Sequence, residues 1–293
     1  MLKKIIHRLF IFVDSIGAYD RYVPMGFPKY RFLTNRSFIQ KLRIKMWTRI
    51  AKDYQPFKPF YSKEARETVF KIEKNTHVLD YYKNGTAVIE NALSKNSVEA
   101  INNIVRSFDL SRDTESNYYQ CDLKKVAPDV CRDIIHTLQP FYKTLFPHID
   151  IDERFDRFGT VQLRVDFSVS GKDFGIATAN WHPDRFVPTL NAIWFPSGAD
   201  WGEFEKDVGD PIINDDDIES YINYRDLNSG DGELRDFAYA NLGRKKKKFT
   251  VEPNSLVVGT HHIQHRRSPF DKPGMRVGVF IDHYNIFSRY DLL

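Results

Sequence analysis

The sequence predicts a mainly β protein with flanking helices: an antiparallel sandwich or jelly roll preceded by a helical N-terminal segment. Three observations predict it. From Arg157 onward the chain breaks into short, β-rich segments bounded by turn residues, at 160–167, 190–195, 255–258 and 276–281. Before that point the apolar spacing is helical, over 37–54, 94–108 and 129–145. The aromatic share is 14%, with 23 Phe and 15 Tyr, a composition that suits strands.

A length of 293 residues can bury a substantial core. It divides into a basic extension over 1–75, partly helical and packed on or attached to the body, and a β domain over 76–293. Residues 1–60 hold thirteen Lys or Arg against three acidic residues, a charge of +10 in a chain whose net charge is +4. A basic arm on a mildly acidic body points to an anionic partner for the arm. Within it, Phe38, Ile39, Leu42, Met46 and Ile50 fall near helical spacing, with Lys41, Lys45, Arg49 and Lys52 around the rest of the wheel. Such a helix docks its apolar stripe on the main body, or lies on an anionic lipid surface. Pro56 and Pro59 then break it.

Asn84-Gly85 marks a turn, followed by a short strand over 86–89. Ser97 is a candidate N-cap for the helix in 94–108, and the helix of 129–145 ends near Pro147. Residues 200–232 are acidic and glycine-bearing and read as a long loop over a site. The run Arg244 to Lys248 reads as a solvated hairpin loop.

Several classes are disfavoured. The two cysteines, Cys121 and Cys131, make neither a disulfide framework nor a zinc spacing. The longest apolar run near the start, 9–13, is far short of the roughly 20 residues that span a bilayer. Lys3 and Lys4 precede apolar residues, but His7 and Arg8 interrupt any signal peptide. The expected location is cytoplasmic, with peripheral membrane contact through the basic segment left open. The sequence shows no nucleic-acid-binding module.

Trp181-His182-Pro183-Asp184 carries the first chemistry. On an extended backbone residues two apart share a face, so His182 and Asp184 can bind one metal together. The pattern is common: nine histidines give about one HxD by chance, and His148-Ile149-Asp150 is a second copy. A turn histidine beside a capping aspartate is the plain alternative. Downstream, 254–258 reads as a buried strand leaving a turn, followed by Gly259-Thr260-His261-His262-Ile263-Gln264-His265. A third ligand from this segment completes two histidines and a carboxylate on one side of a metal. Positions then remain for a bidentate co-substrate and O2, which is the non-haem iron(II) arrangement. A zinc hydrolase could use the same ligands, but HExxH and an obvious general base are absent from the sequence.

Arg276 opens the strand Arg276-Val277-Gly278-Val279-Phe280-Ile281, eleven residues after His265. By period two, Arg276, Gly278 and Phe280 share a face opposite Val277 and Val279. A buried guanidinium needs a carboxylate. A dicarboxylic co-substrate would supply one through a bidentate fork, with room left by the glycine. An Asp or Glu of the chain is the other source.

With these residues in place, the chain resembles the 2-oxoglutarate-dependent oxygenases, and within them the phytanoyl-CoA hydroxylase-like branch, over most of residues 84–284. Asn84-Gly85-Thr86-Ala87-Val88-Ile89-Glu90-Asn91-Ala92-Leu93-Ser94 is similar to the branch's opening strand and helix start. Val161-Gln162-Leu163-Arg164-Val165 lies where the family places co-substrate contacts, and Leu190-Asn191-Ala192-Ile193-Trp194 resembles the strand after HxD. The step to Arg276 matches the family when counted from His265, which selects it over His261 and His262. Those two then fall on the approach to the site. The first 75 residues have no counterpart. For the glycine-rich loop after the Trp194 strand, Trp201-Gly202-Glu203-Phe204-Glu205 is the nearest match.

The resemblance implies a double-stranded β-helix (jelly roll, cupin-like) core and an oxidoreductase of the dioxygenase type. It implies iron(II) on His182, Asp184 and His265, which form the catalytic centre, with 2-oxoglutarate as co-substrate and O2 as oxidant. Arg276 would hold the co-substrate, with Gln162, Arg164 and Trp194 as further contacts. Related halogenases lack the carboxylate, so Asp184 argues for hydroxylation, desaturation or ring closure of a C–H substrate. Arg185, Phe186, Arg266 and Arg267 near the motifs suit a small anionic metabolite or a lipid-linked molecule. Two other classes stay open: a nucleic-acid-directed oxygenase or binder using the basic arm, and a non-catalytic jelly-roll binding protein.

Overall fold

Helices lead the described chain and strands follow. The computed structural model describes residues 45, 48, 49, 51–108, 118–147, 160–168, 188–197, 203–207, 209–218, 246–260, 262, 263, 265–267, 270 and 272–282. Most of the predicted helix over 37–54 lies outside them, as does His148-Ile149-Asp150. The α-helix ends at Asp53, as the prolines imply, and a 3-10 helix, Gln55–Phe60, follows, with Pro56 in its first turn where no amide partner is lost. Phe57 and Phe60 of this turn are fully buried, and the Phe60 carbonyl accepts the Ile213 amide at 2.7 Å. Residues 51–60 therefore share the core of the β body.

Helix α1 (Lys63–Ile72) is capped by the Ser62 side chain, and α2 (Thr76–Asn84) by Asn75, which accepts the Val78 amide at 3.1 Å. The Asn84-Gly85 turn is the C-terminal cap of α2, with Gly85 at φ +70°. Strand β1 (Thr86–Ile89) follows at once. Helix α3 (Lys95–Arg106) is capped by Ser94, not Ser97. The Ser97 amide donates to Ser94 Oγ, and the Ser97 hydroxyl is drawn to Asp133 Oδ2 at 2.7 Å. Strand β2 (Tyr118–Asp122), a single turn α4 (Leu123–Val126) and the long α5 (Pro128–Leu145) complete this part. Cys121 and Cys131 are free thiols. No helix among the described residues is long and apolar enough to cross a membrane.

Asp133 of α5 ties α3 to α5 by accepting the Ser94 amide and the hydroxyls of Ser94 and Ser97, at 2.7–2.9 Å. Burial works to raise its pKa, but those three donors outweigh it, with His136 adding to them, so the carboxyl titrates below the ordinary aspartate range. A group lowered on folding stabilises the protein above about pH 4 and stops doing so as the pH falls through the lowered value. Asp133→Ala is expected to cost about 1–2 kcal/mol in urea unfolding at pH 7, after allowance for solvent at this half-buried carboxylate. The difference from wild type is expected to shrink below pH 4.

The strands are β3 (Thr160–Ser168), β4 (Asn191–Phe195), β5 (Glu203–Asp207), β6 (Lys246–Thr250), β7 (Ser255–Gly259), β8 (His265–Arg267) and β9 (Gly274–Asp282). They form a six-stranded sheet in the order β1-β7-β4-β9-β3-β2 and a three-stranded sheet in the order β6-β5-β8. Every pairing among the described strands is antiparallel. After β4 the chain passes to the small sheet for β5 and β6, back for β7, over for β8 and back for β9, which is jelly-roll connectivity.

Two sequence readings fail in the small sheet. Residues 203–207 were expected within a long loop, and Lys246 to Lys248 in a hairpin loop; both are strand, paired with each other. Lys247 and Lys248 are exposed on this strand, so the charge run is solvated as expected but is not a turn.

Alternation divides the large sheet cleanly. Val161, Leu163, Val165, Ala192, Trp194, Leu256, Val258, Val277, Val279 and Ile281 belong to the main core with Ile134, Leu138 and Phe141 of α5. This face is covered by helices. The other face is turned to the small sheet, because Lys206 of β5 reaches across to donate to Thr86 Oγ1 on β1.

Candidate functional site

Register fixes which side chains share the face turned to the small sheet. Gln162 pairs with Phe280, Arg164 with Gly278 and Asp166 with Arg276, so all six alternate away from the helix-packed core. The predicted grouping of Arg276, Gly278 and Phe280 opposite Val277 and Val279 is thus the observed one. Exposure falls along β3: Gln162 is exposed, Arg164 half-buried, and Asp166 only 4% exposed. Gln162 marks a rim, and Asp166 and Arg276 mark the deep end.

Arg276 is 2% exposed, with its guanidinium 3.8 Å from the centre of the Phe270 ring. Directly across the ladder stands Asp166, whose Oδ1 accepts Arg164 Nε at 3.0 Å. Arg164 also lies 5.6 Å from the Phe280 ring centre. A protein carboxylate therefore stands opposite Arg276 in register, and it accepts from Arg164. A guanidinium buried at this depth favours a carboxylate partner. Gly278 lies between these side chains; a Cβ there would come within 3.1 Å of the Phe280 ring and 3.6 Å of Ile193 Cγ2.

His265 enters from the opposite wall. It pairs directly with Lys206 across β5 and β8, and residues so paired point the same way. Lys206 reaches the large sheet, so His265 faces the interior as well. Burial pushes the Lys206 ammonium down to about 8, with Asp80 opposing the shift and Lys247 adding to it. The His265 ring is oriented by Nδ1, 3.1 Å from the Ile263 carbonyl. A carbonyl only accepts, so Nδ1 carries the proton and the lone pair of the neutral ring lies on Nε2, the arrangement expected of a histidine that ligates through Nε2.

His262, expected to lie around the ligands or to touch substrate, is bonded within the protein. Its Nδ1 is 2.9 Å from Thr260 Oγ1, its Nε2 is 2.9 Å from the Pro211 carbonyl, and it is 9% exposed with its edge to Phe60. With both nitrogens engaged by protein, it is an internal tie rather than a ligand or a substrate contact. His182 and Asp184 lie outside the described residues, as do His261, Arg185 and Phe186. Among the described residues no group of three His, Cys, Asp or Glu side chains is placed to hold a metal.

Two nominations are corrected. Trp194 is fully buried on the helix-packed face, opposite Val279, and its indole N–H donates to Asn254 Oδ1 at 3.0 Å. It supports the sheet from behind and cannot touch a molecule in the interior. Arg266 follows His265 on an extended strand and so turns to the outer side. Conversely, Asp166 and Lys206 were missed. Arg164-x-Asp166 on a strand was a readable signal; Lys206 was hidden in a charged stretch with no visible alternation.

No family model matches the sequence, and no curated protein does. Among solved structures, the chain is similar to a prolyl-4-hydroxylase of Pseudomonas putida, at 12% identity and a TM-score of 0.43, over 70% of this chain and 95% of that one. It is similar to HygX from Streptomyces hygroscopicus with nickel and 2-oxoglutarate bound, at 12% identity and 0.41, over 71% and 86%. A third is EctD from S. alaskensis with bound Fe, at 11% identity and 0.43, over 71% and 75%. At these identities and TM-scores the likenesses assign no family.

Proposed function

We propose that the chain is a non-haem iron(II) oxygenase dependent on 2-oxoglutarate. One observation carries this reading: Arg276 is buried on the inward face of a jelly roll, beside a glycine and in one cluster with Arg164 and Asp166. A dicarboxylate satisfies that cluster through a two-pronged hydrogen-bonded fork. The donor set fits as far as it is described, since His265 faces the same interior with its Nε2 lone pair available by tautomer. We assign His182 and Asp184 as the remaining ligands, from their spacing.

Iron(II) in a two-histidine, one-carboxylate set couples decarboxylation of a bound keto acid to succinate with oxidation of a C–H bond by O2. The chain supplies position and shielding. Arg276 holds the far carboxylate, and Asp166 keeps Arg164 pointed along the same face. Gly278 leaves the space a longer side chain would fill. Phe195, Val251 and Val257, with Val88 and Ile193, form a small apolar cluster that keeps water from the neighbouring part of the interior.

Within this superfamily we place the chain in the phytanoyl-CoA hydroxylase-like branch, on the pattern of residues 84–94 and 190–194. The substrate is a small anionic metabolite or a lipid-linked molecule, and the product is hydroxylated, desaturated or ring-closed. The test is turnover of 2-oxoglutarate in a screen of anionic metabolites. Succinate is expected in proportion to co-substrate lost, with need for both iron(II) and O2 and with loss on chelation. Metal-independent turnover, or none with any candidate and no uncoupled background, contradicts the reading.

A further inference from the structure

The helix that ends at Asp53 and the helical turn 215–218 enclose a cavity of about 380 Å³. That volume lies within the roughly 300–1,000 Å³ of small-molecule sites. Lys45, Thr48, Arg49 and Lys52 line it from the helix, and Asp215 and Ile218 from the turn. The four helix residues recur at steps of three and four, so they share one side, while Ala51 joins the main core. The far wall is anchored. Asn214 and Asp217 cap the turn reciprocally at 2.8 and 3.0 Å, and the Phe60 carbonyl holds the Ile213 amide at 2.7 Å. Lys52 Nζ donates to Asp215 Oδ1 at 2.8 Å and is thereby paired. Lys45 and Arg49 are exposed, and among the described residues neither has a carboxylate partner. Asp53, which also lines the cavity, is exposed as well.

Thr48 is the group the protein leaves unanswered. It is 6% exposed, and among the described residues its Oγ1 has no hydrogen-bond partner. Thr68 and Thr137, also on helices, donate to the carbonyls of Glu64 and Asp133 four residues back, at 2.9 and 3.0 Å. A buried hydroxyl without a partner carries its full desolvation cost. Such groups are uncommon, and one in the wall of a cavity points to a ligand.

We propose that this cavity binds a phosphate monoester, with Thr48 donating to it and Lys45 and Arg49 balancing its charge. A phosphate monoester carries about −1.5 to −2 charges near neutral pH and three acceptor oxygens. That matches two cations without carboxylate partners and one hydroxyl donor, where a carboxylate offers half the charge. No strand of either sheet lines the cavity, so the site is separate from the jelly-roll interior and independent of the metal reading. The same chemical group is found on soluble phosphate esters and on a phosphatidate headgroup.

The test uses the full chain at about pH 7.5, where phosphate is largely dianionic, and at constant ionic strength. Inorganic phosphate is titrated by phosphorus NMR, and flotation is measured on phosphatidylcholine vesicles with and without phosphatidate. Thr48→Val removes the hydroxyl without changing charge, and Arg49→Gln removes one cation. Lys83→Gln, exposed on α2, removes one cation elsewhere. Thr48→Val and Arg49→Gln are each expected to raise the phosphate Kd about tenfold, with Lys83→Gln within about twofold of wild type. Thr48→Val is expected to unfold at the wild-type temperature or above it, because its hydroxyl has no partner to lose. If Thr48→Val does not fold, Arg49→Gln is read against Lys83→Gln alone. Weaker phosphate binding with flotation unchanged assigns a soluble ester. Loss of phosphatidate-dependent flotation in Thr48→Val, which alters no charge, assigns the lipid headgroup. Binding of neither probe by wild type, or equal binding by wild type, Thr48→Val and Arg49→Gln, overturns the site. Acetate that binds as tightly as phosphate overturns the choice of ligand.

Discussion

Arg276→Ala is expected to weaken 2-oxoglutarate binding to the metal-loaded protein by two to three orders of magnitude. Removing one partner of a buried, hydrogen-bonded charge pair costs about 2–5 kcal/mol, because the other charge is left without its counterpart. The site makes the loss sharp. Arg276 lies at the deep end of the interior face, 2% exposed, where water cannot replace it. Arg164 still donates to Asp166 in the variant, at 3.0 Å, so that carboxylate keeps a partner and the fold is expected to persist. Arg276→Lys keeps the charge but not the fork, and an intermediate loss of about tenfold is expected. Calorimetric titration of 2-oxoglutarate into the manganese(II)-loaded variants separates the three cases. Equal affinity in wild type and Arg276→Ala would mean that Asp166 is the arginine's real counterion.

Gly85→Ala is expected to destabilise the protein by about 2–4 kcal/mol. Gly85 has φ +70°, where a Cβ is strained by itself. The added Cβ would also lie 2.6 Å from Ile263 Cγ1 and 3.3 Å from Pro211 Cβ. Ile263 is 3% exposed and cannot swing into solvent. Its carbonyl orients His265, and the Gly85 carbonyl accepts the Thr260 amide at 3.0 Å. The substitution therefore strikes the cap of α2 and the loop before β8 together. Thermal unfolding, compared with Gly85→Asn, measures the strain, since asparagine tolerates this backbone better but still brings the Cβ contact.

The large sheet was legible because its strands alternate plainly. Val161, Leu163 and Val165, and Val277, Val279 and Ile281, present one apolar face each, and period two then placed Arg276 and Gly278 on the other. The small sheet was not. EFEKD and KKKFT carry charge on both faces, so no alternation announces them as strands; they pair with each other. Helix α2 went unassigned: Val78, Tyr81 and Tyr82 are poor helix formers by propensity, and packing of the tyrosines against Phe60 and Phe141 makes them a helix face. Trp194 failed on parity. It was taken with the co-substrate contacts, yet the polar Asn191 sits in the interior register with Ile193, which puts Trp194 behind the sheet.

The site divides along the same line. Arg276 and Gly278 could be read from strand periodicity, since a charged residue among inward positions breaks an otherwise apolar rule, whereas Arg164 was named on the family resemblance. Asp166 and Lys206 depend on what lies across a ladder, which one sequence does not reveal. The hydrogen-bond partners of the two histidines could not be read from the sequence: His262 is bonded at both ring nitrogens, by Thr260 and Pro211, and Ile263 braces His265 at Nδ1.

The central claim is that the interior of this jelly roll binds iron(II) and 2-oxoglutarate together. Anaerobic addition of iron(II) and then 2-oxoglutarate to the full chain tests it most directly. A weak visible charge-transfer band is expected from the chelate of keto acid and metal, appearing only with both present and much reduced in Arg276→Ala at the same concentrations. Folded protein that gives no such band, or gives the same band in Arg276→Ala, contradicts the account.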